Sequence, residues 1–141
     1  MALGDFLLFS WKSKATLERE QKEYDAWAFP HGPQQRENLQ ALMMELYPKE
    51  QGPFLLMGFL TCKELYERIL EDTGSQEQTI QILVIREKKY KNLIRKNEMP
   101  RYVAFVIADS QIGADCVYPT PDEMRRRIAE IEALDAEKKK G

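Results

Sequence analysis

The sequence predicts an α+β fold, in which a small sheet packs with about five helices. Three observations lead to this prediction. Residues 102–108 form a run without a polar side chain, rich in β-branched and aromatic residues, between Pro100 and a turn-forming Asp109-Ser110 pair. Residues 79–85 are also rich in β-branched side chains. Elsewhere apolar residues recur at helical spacing, most clearly at Leu39, Leu42, Met43, Leu46 and Tyr47.

The predicted strands are residues 5–11, 54–60, 79–85 and 102–108. The second strand precedes Thr61-Cys62-Lys63-Glu64, which has the form of a capping box and would start a new helix at Cys62. If the box is not used, one helix runs from Phe54 to Glu71. Because short apolar runs do not distinguish a buried strand from a buried helix, an all-α fold is the alternative.

The predicted helices are residues 14–28, 34–47, 62–72, 86–97 and 121–136. Ser13 is an N-cap for the first, Pro33 suits the first position of the second, and Gly74 ends the third. Thr120-Pro121-Asp122-Glu123 is the strongest helix start in the chain. We expect one globular domain over residues 1–137, followed by a frayed basic tail at 138–141.

Composition predicts a soluble cytoplasmic protein. The net charge of the 141 residues is only -2, no signal peptide is evident, and the longest apolar run, 54–60, is too short to span a membrane. Two cysteines indicate reduced thiols. Residues 1–78 hold 8 Lys/Arg and 13 Asp/Glu, a net of -5, whereas residues 79–141 hold 13 and 10, a net of +3. A chain polarised in this way can present one acidic and one basic surface.

No set of residues predicts a catalytic, cofactor or metal site. His31 stands alone, without Cys, Asp or Glu at ligand spacing. Asp109 and Ser110 follow a predicted strand, where ligands bind in open α/β sheets, but no Gly-rich phosphate loop accompanies them. Cys62 at the first turn of a helix could be a nucleophile with His31 as its base, which makes a thiol-dependent enzyme one alternative function. Its place on an apolar stripe favours a structural thiol.

A basic segment, residues 86–101, predicts a second alternative, nucleic-acid binding. Its cationic side chains lie on both flanks of the predicted helix 86–97, while Tyr90 could stack on a base. The plainer interpretation is a solvated helix face. The residues of this candidate site are Arg86, Lys88, Lys89, Lys91, Arg95 and Lys96.

The first hypothesis is a small non-enzymatic accessory or adaptor protein that binds another macromolecule. It depends on the charge asymmetry and on the aromatic connector around Trp27, Phe29 and His31, whose aromatic and rigid turn residues are typical of recognition loops. The expected partner is another protein or a second copy of the chain, and no membrane is expected. The sequence requires no cofactor.

Overall fold

The computed structural model describes residues 13–86, 94 and 98–140, and every regular element within them is helical. The predicted sheet and the α+β class are therefore wrong, and the all-α alternative is confirmed for the described residues. The elements, in chain order, are α1 (Lys14–Ala28), α2 (Pro33–Leu46), α3 (Gly52–Thr73), α4 (Gln76–Gln81), a π-helical turn (Ile82–Arg86), α5 (Met99–Ser110) and α6 (Pro121–Lys140).

The predicted central strand, 102–108, is the middle of α5. Pro100 lies in the first turn, where its missing N–H leaves no backbone acceptor unsatisfied. Nearly all of α5 is buried, because α3 and α6 pack on it from different sides. A helix buried on all sides shows neither a 3.6-residue nor a two-residue hydrophobic period. The β-branched content of the run therefore pointed to a strand, and tertiary packing overrides that local preference.

The predicted strand 54–60 and the predicted helix 62–72 belong to one continuous helix, α3. Thr61 does not cap a helix start, since its hydroxyl donates to the Met57 carbonyl one turn earlier at 2.9 Å. Instead, Pro53 lies in the first turn of α3. The buried residues of α3 recur with helical spacing along its whole length. The alternative of one helix through this region is thus confirmed.

The predicted strand 79–85 is also helical, made of the end of α4 and the π-helical turn. Ser75 caps α4 by accepting a hydrogen bond from the Gln78 N–H at 3.2 Å. Thr79, which favoured a strand in the sequence, is completely buried, and its hydroxyl donates to the Ser75 carbonyl at 2.8 Å. This hydrogen bond satisfies the buried hydroxyl within the helix.

The predicted helix ends agree with the structure where capping residues are present. Ser13 accepts from the Thr16 N–H, Pro33 begins α2, Gly74 ends α3 with φ 67°, and Thr120 accepts from the Glu123 N–H. The helix α6 runs to Lys140, past the predicted end at 136. The predicted strand 5–11 and helix 86–97 lie outside the described residues, apart from Arg86 at the end of the π-helical turn and the isolated position 94. The domain boundary at 137 stays a prediction.

The core lies between α2, α3, α5 and α6, and its largest fully buried side chains include Phe59, Phe105, Leu39 and Met124. The helix α1 is different, because Ala28 at its last position is its only buried residue. It makes only sparse contacts with the other described helices. Among the described residues, no helix has the length and apolarity needed to cross a bilayer.

Candidate binding site at the α1–α2 connector

The connector between α1 and α2, residues 29–32, is held in a tight turn. The Phe29 N–H donates to the Asp25 carbonyl at 2.8 Å, which closes α1, and the Gly32 N–H donates to the Phe29 carbonyl at 2.9 Å. Gly32 has φ 92°, a conformation that glycine adopts without a steric penalty. The buried Gln35 accepts from the His31 N–H at 2.8 Å. The two helices therefore meet at a defined angle, with Phe29 and His31 at different positions around the turn.

Lys63 on α3 holds the C-terminal end of α1. Its ammonium donates to the Trp27 carbonyl at 2.6 Å and to the Ala28 carbonyl at 3.3 Å, and it lies 4.8 Å from the centre of the Trp27 ring. The Trp27 indole N–H donates to Glu67 Oε1 at 2.8 Å. A cation is favourable here because the last carbonyls of a helix have no intrahelical partner and carry partial negative charge.

A groove lies between α1 and α3 and encloses about 400 Å³. We call it the α1–α3 groove. Its polar rim includes Gln21, Asp25, Arg36 and Glu64. Its apolar lining, which joins α1, the connector and α3, is Tyr24, Phe29, Leu56, Met57 and Leu60. Phe29 is fixed in this lining because its ring stacks on the core residue Phe59, with 6.3 Å between ring centres.

Two large apolar side chains in the lining of the groove, Tyr24 and Met57, are reached by water, and each lies on the same helix as a further exposed apolar residue. Phe54 and Met57 on α3 are 62% and 60% exposed, and Leu17 and Tyr24 on α1 are 52% and 48% exposed. Leu17 and Tyr24 are seven residues apart and so share one face of α1, while Phe54 and Met57 are three apart on α3. A cluster of this kind is typical of an interaction surface, whereas single exposed apolar residues need no explanation.

A second cavity, which we call the polar pocket, includes the other side of the connector and encloses about 380 Å³. Pro30 and His31 line it together with Lys63 and Glu67 of α3 and Asp109 and Ser110 at the end of α5. The structure thus brings His31 together with Asp109 and Ser110, which are distant in the sequence. It gathers no third His, Cys, Asp or Glu at metal-binding distance anywhere in residues 13–86 and 98–140.

Cys62 does not have the position predicted for a nucleophile. It lies in the middle of α3 and is completely buried, and this burial raises the pKa of its thiol far above the usual range. It does not line the polar pocket that contains His31. Both conditions oppose thiolate formation, so the structure argues against the thiol-enzyme alternative and for a structural role.

The structure places the remaining predicted site residues unevenly. Phe29 lines the groove, His31 is exposed and lines the polar pocket, and Trp27 donates to Glu67 without lining either cavity. Arg86 closes the π-helical turn. The other basic residues of the predicted nucleic-acid site lie outside the described residues, so that function stays a prediction; they are Lys88, Lys89, Lys91, Arg95 and Lys96.

Lys63 is the residue that sequence reasoning missed. It shares the inner face of α3 with Phe59 and Tyr66, at helical spacing, and only 7% of it is exposed. A lysine on an otherwise apolar stripe is a signal, because a buried charge needs a partner. The signal was hidden when the helix was divided at Thr61.

Comparison of the chain with protein-family models, with curated proteins and with solved structures gives no match.

Proposed function

We propose that this chain is a non-enzymatic accessory or adaptor protein of the cytoplasm, which binds a helical segment of a partner protein in the α1–α3 groove. The observation that carries the proposal is that Tyr24 of α1 and Met57 of α3, which face one another across this apolar-lined groove, are 48% and 60% exposed. The nearly balanced charge and the two free cysteines support the compartment.

The shape of the site favours a helix as the bound element. The 15 residues of α1 form a rod about 22 Å long that runs beside α3 with few contacts of its own. A surface helix normally buries its apolar stripe, but Leu17 and Tyr24 remain about half exposed. A third helix laid between α1 and α3 would cover Tyr24 and Met57, which is the usual helix-in-groove mode of recognition.

The charge of the rim indicates the chemistry of the partner. Asp25 and Glu64 flank the apolar lining, against one cation, Arg36, and the groove is built from the acidic part of the chain. We therefore expect a partner helix with an apolar stripe bordered by lysine or arginine. Such complementarity raises the association rate and selects the partner, while apolar burial supplies most of the affinity.

The test uses a labelled helical peptide with leucines at helical spacing and flanking lysines, measured by fluorescence anisotropy. Because each half-exposed apolar side chain contributes on the order of 1 kcal/mol when covered, binding relies on several of them. Met57→Arg removes one of these apolar side chains and places a charge in the apolar lining of the groove, so we expect this variant to bind the peptide at least about 10-fold more weakly. The matched control is Val117→Arg, since Val117 is 66% exposed and lies away from the groove.

Three results would contradict the proposal. The first is an absence of saturable binding by the full chain at low salt. The second is equal weakening by both arginine variants. The third is a concentration-dependent dimer that Met57→Arg dissociates, which would assign the groove to a second copy of the chain. A peptide with glutamates in place of the lysines should bind more weakly, and equal binding would refute the role of the acidic rim.

A further inference from the structure

The polar pocket contains a buried carboxylate that is held in place from one side. Asp109 is 7% exposed, and its Oδ1 accepts hydrogen bonds from the Tyr118 hydroxyl at 2.6 Å and from Gln35 Nε2 at 2.9 Å. Gln35 is itself fixed, since its amide oxygen accepts from the His31 N–H. Burial and the hydrogen bond to Asp109 raise the pKa of Tyr118, so its hydroxyl remains a donor.

The other oxygen of this carboxylate, Oδ2, has no hydrogen-bond partner among the described residues. No fully buried side-chain oxygen or nitrogen in the described part of the chain lacks a partner, so Oδ2 is in contact with the open space of the pocket. Water in the pocket can satisfy this oxygen, and a cationic donor supplied by a ligand would replace that water with a charge-assisted hydrogen bond. Asp109 is therefore oriented by the protein and left with an acceptor facing the cavity.

The charges that line the pocket favour a cation. Among the described residues of the lining, Asp109 and Glu67 are acidic and Lys63 is basic. The Lys63 ammonium donates to the carbonyls of Trp27 and Ala28 and pairs with Glu67 Oε2 at 3.9 Å, while Glu67 Oε1 accepts from the Trp27 indole at 2.8 Å. Lys63 and Glu67 are thus engaged with each other and with α1, and Asp109 remains available to a ligand.

The rest of the lining provides room for an aliphatic chain. Leu70, Val106 and Ile112 form apolar walls, and the volume of about 380 Å³ is within the range of small-molecule sites. The Tyr66 hydroxyl accepts from Gln76 Nε2 at 3.2 Å and can donate in turn. The pocket therefore combines one acidic end with an apolar wall, which matches a charged group on a short hydrocarbon stem.

We propose that the polar pocket binds an organic cation, an alkylguanidinium or alkylammonium group, whose charged end pairs with Asp109. This site is separate from the α1–α3 groove, and its existence does not depend on the proposed partner helix. The cation can belong to a free small molecule or to an arginine or lysine side chain of a peptide, and the two sources share the same chemistry.

The first experiment compares n-butylguanidinium with N-butylurea, a neutral molecule of nearly the same shape, by titration followed by two-dimensional NMR of the full chain. We expect butylguanidinium to bind saturably and at least about 10-fold more tightly than butylurea. Equal binding of the two, or no saturable binding of the cation at about 50 mM, would overturn the proposal. If an acetylated and amidated Gly-Arg-Gly peptide binds more tightly than butylguanidinium, the source of the cation is a side chain of a partner. If the peptide binds more weakly than butylguanidinium, the source is a free small molecule.

The second experiment uses variants of the pocket. Asp109→Asn keeps the Oδ1 acceptor for Tyr118 and Gln35 but replaces Oδ2 with an N–H donor, so we expect butylguanidinium to bind at least about 10-fold more weakly. The control is Asp115→Asn, an exposed aspartate that does not line this pocket, and its affinity should stay within about twofold of the original. Unchanged affinity in Asp109→Asn would refute the site. If that variant does not fold, Ser110→Lys, at an exposed position on the pocket wall, should weaken binding by repulsion, and unchanged affinity there would refute the site equally.

Discussion

The contact between Gly58 on α3 and Tyr102 on α5 allows the packing of these two helices to be tested directly. A Cβ atom added at Gly58 would lie 2.3 Å from Tyr102 Cζ and 2.6 Å from its hydroxyl oxygen. Carbon atoms pack at about 3.5 Å, so the ring or the helix would have to move by about 1 Å. Tyr102 is only 4% exposed, but together with Gly58 it lines a cavity of about 460 Å³ into which the end of its ring can shift.

Because the ring has to move by about 1 Å within a packed interface, we expect for Gly58→Ala a cost in the middle of the range for overpacking, about 2 kcal/mol. Alanine is favoured over glycine inside a helix by about 1 kcal/mol, which offsets part of this cost. The net expectation is a loss of about 1 kcal/mol in the free energy of unfolding. The measurement is urea denaturation followed by circular dichroism, in which the midpoint should fall while the slope is unchanged.

The matched control is the same substitution in a Tyr102→Leu background. Leucine removes the atoms that the new methyl group would meet, so only the helix preference remains and Gly58→Ala should then be stabilising by up to about 1 kcal/mol. This change of sign separates the steric contact from any general effect of the substitution. If Gly58→Ala stabilises the unmodified chain, α3 and α5 do not approach one another as described, and the explanation is wrong.

Two further predictions concern pH. Burial raises the pKa of the Cys62 thiol, so the unfolded chain loses this proton first and stability should fall by about 1.4 kcal/mol per pH unit above about 8.5. Cys62→Ala should lose less stability than the original chain between pH 8 and 10 in urea denaturation, and identical losses would contradict the burial of the thiol. Hydrogen bonds from Arg126 and Arg127 lower the pKa of Glu123 to about 2, so its contribution to stability is present above about pH 4.5 and is lost as the pH falls towards 2. The melting temperature of Glu123→Gln should therefore fall less than that of the original chain when the pH is lowered over this range. Equal falls in the two melting temperatures would exclude the interaction of Glu123 with the two arginines.

Prediction from sequence succeeded at the helix boundaries that Ser13, Gly74 and Thr120 set. Ser13, Gly74 and Thr120 act through hydrogen bonds or backbone angles within four positions of themselves, so their effect can be read from a short window. The amphipathic pattern of α2 was equally clear, because one of its faces remains in water. The same reasoning failed for α5, because the apolar run 102–108 at its centre has no polar position from which a period can be read.

The residues of the candidate sites also fall into two groups: those that a short stretch of sequence indicates and those that only packing brings together. Trp27, Phe29 and His31 stood out in the sequence as an aromatic connector, and Phe29 and His31 each line a cavity, while Trp27 hydrogen-bonds to Glu67 of the polar pocket. Lys63 did not stand out, and Asp109 stood out only for its place after a predicted strand, because it is α3 and α5 that bring these two residues to the connector. Asp109 meets Gln35 across 74 positions of the chain, and no short-range pattern contains that distance.

Short stretches of sequence were sufficient to predict the helix ends that Ser13, Gly74 and Thr120 set, the division of charge along the chain, and the aromatic connector between α1 and α2. Packing between helices was needed to establish that the apolar runs at 54–60 and 102–108 are helical, that Thr61 starts no helix, and that Gln35 and Tyr118 hold Asp109 at the polar pocket. The difference arises because a cap depends on neighbouring residues, whereas a buried segment adopts the conformation that satisfies every packed side and every backbone hydrogen bond at once.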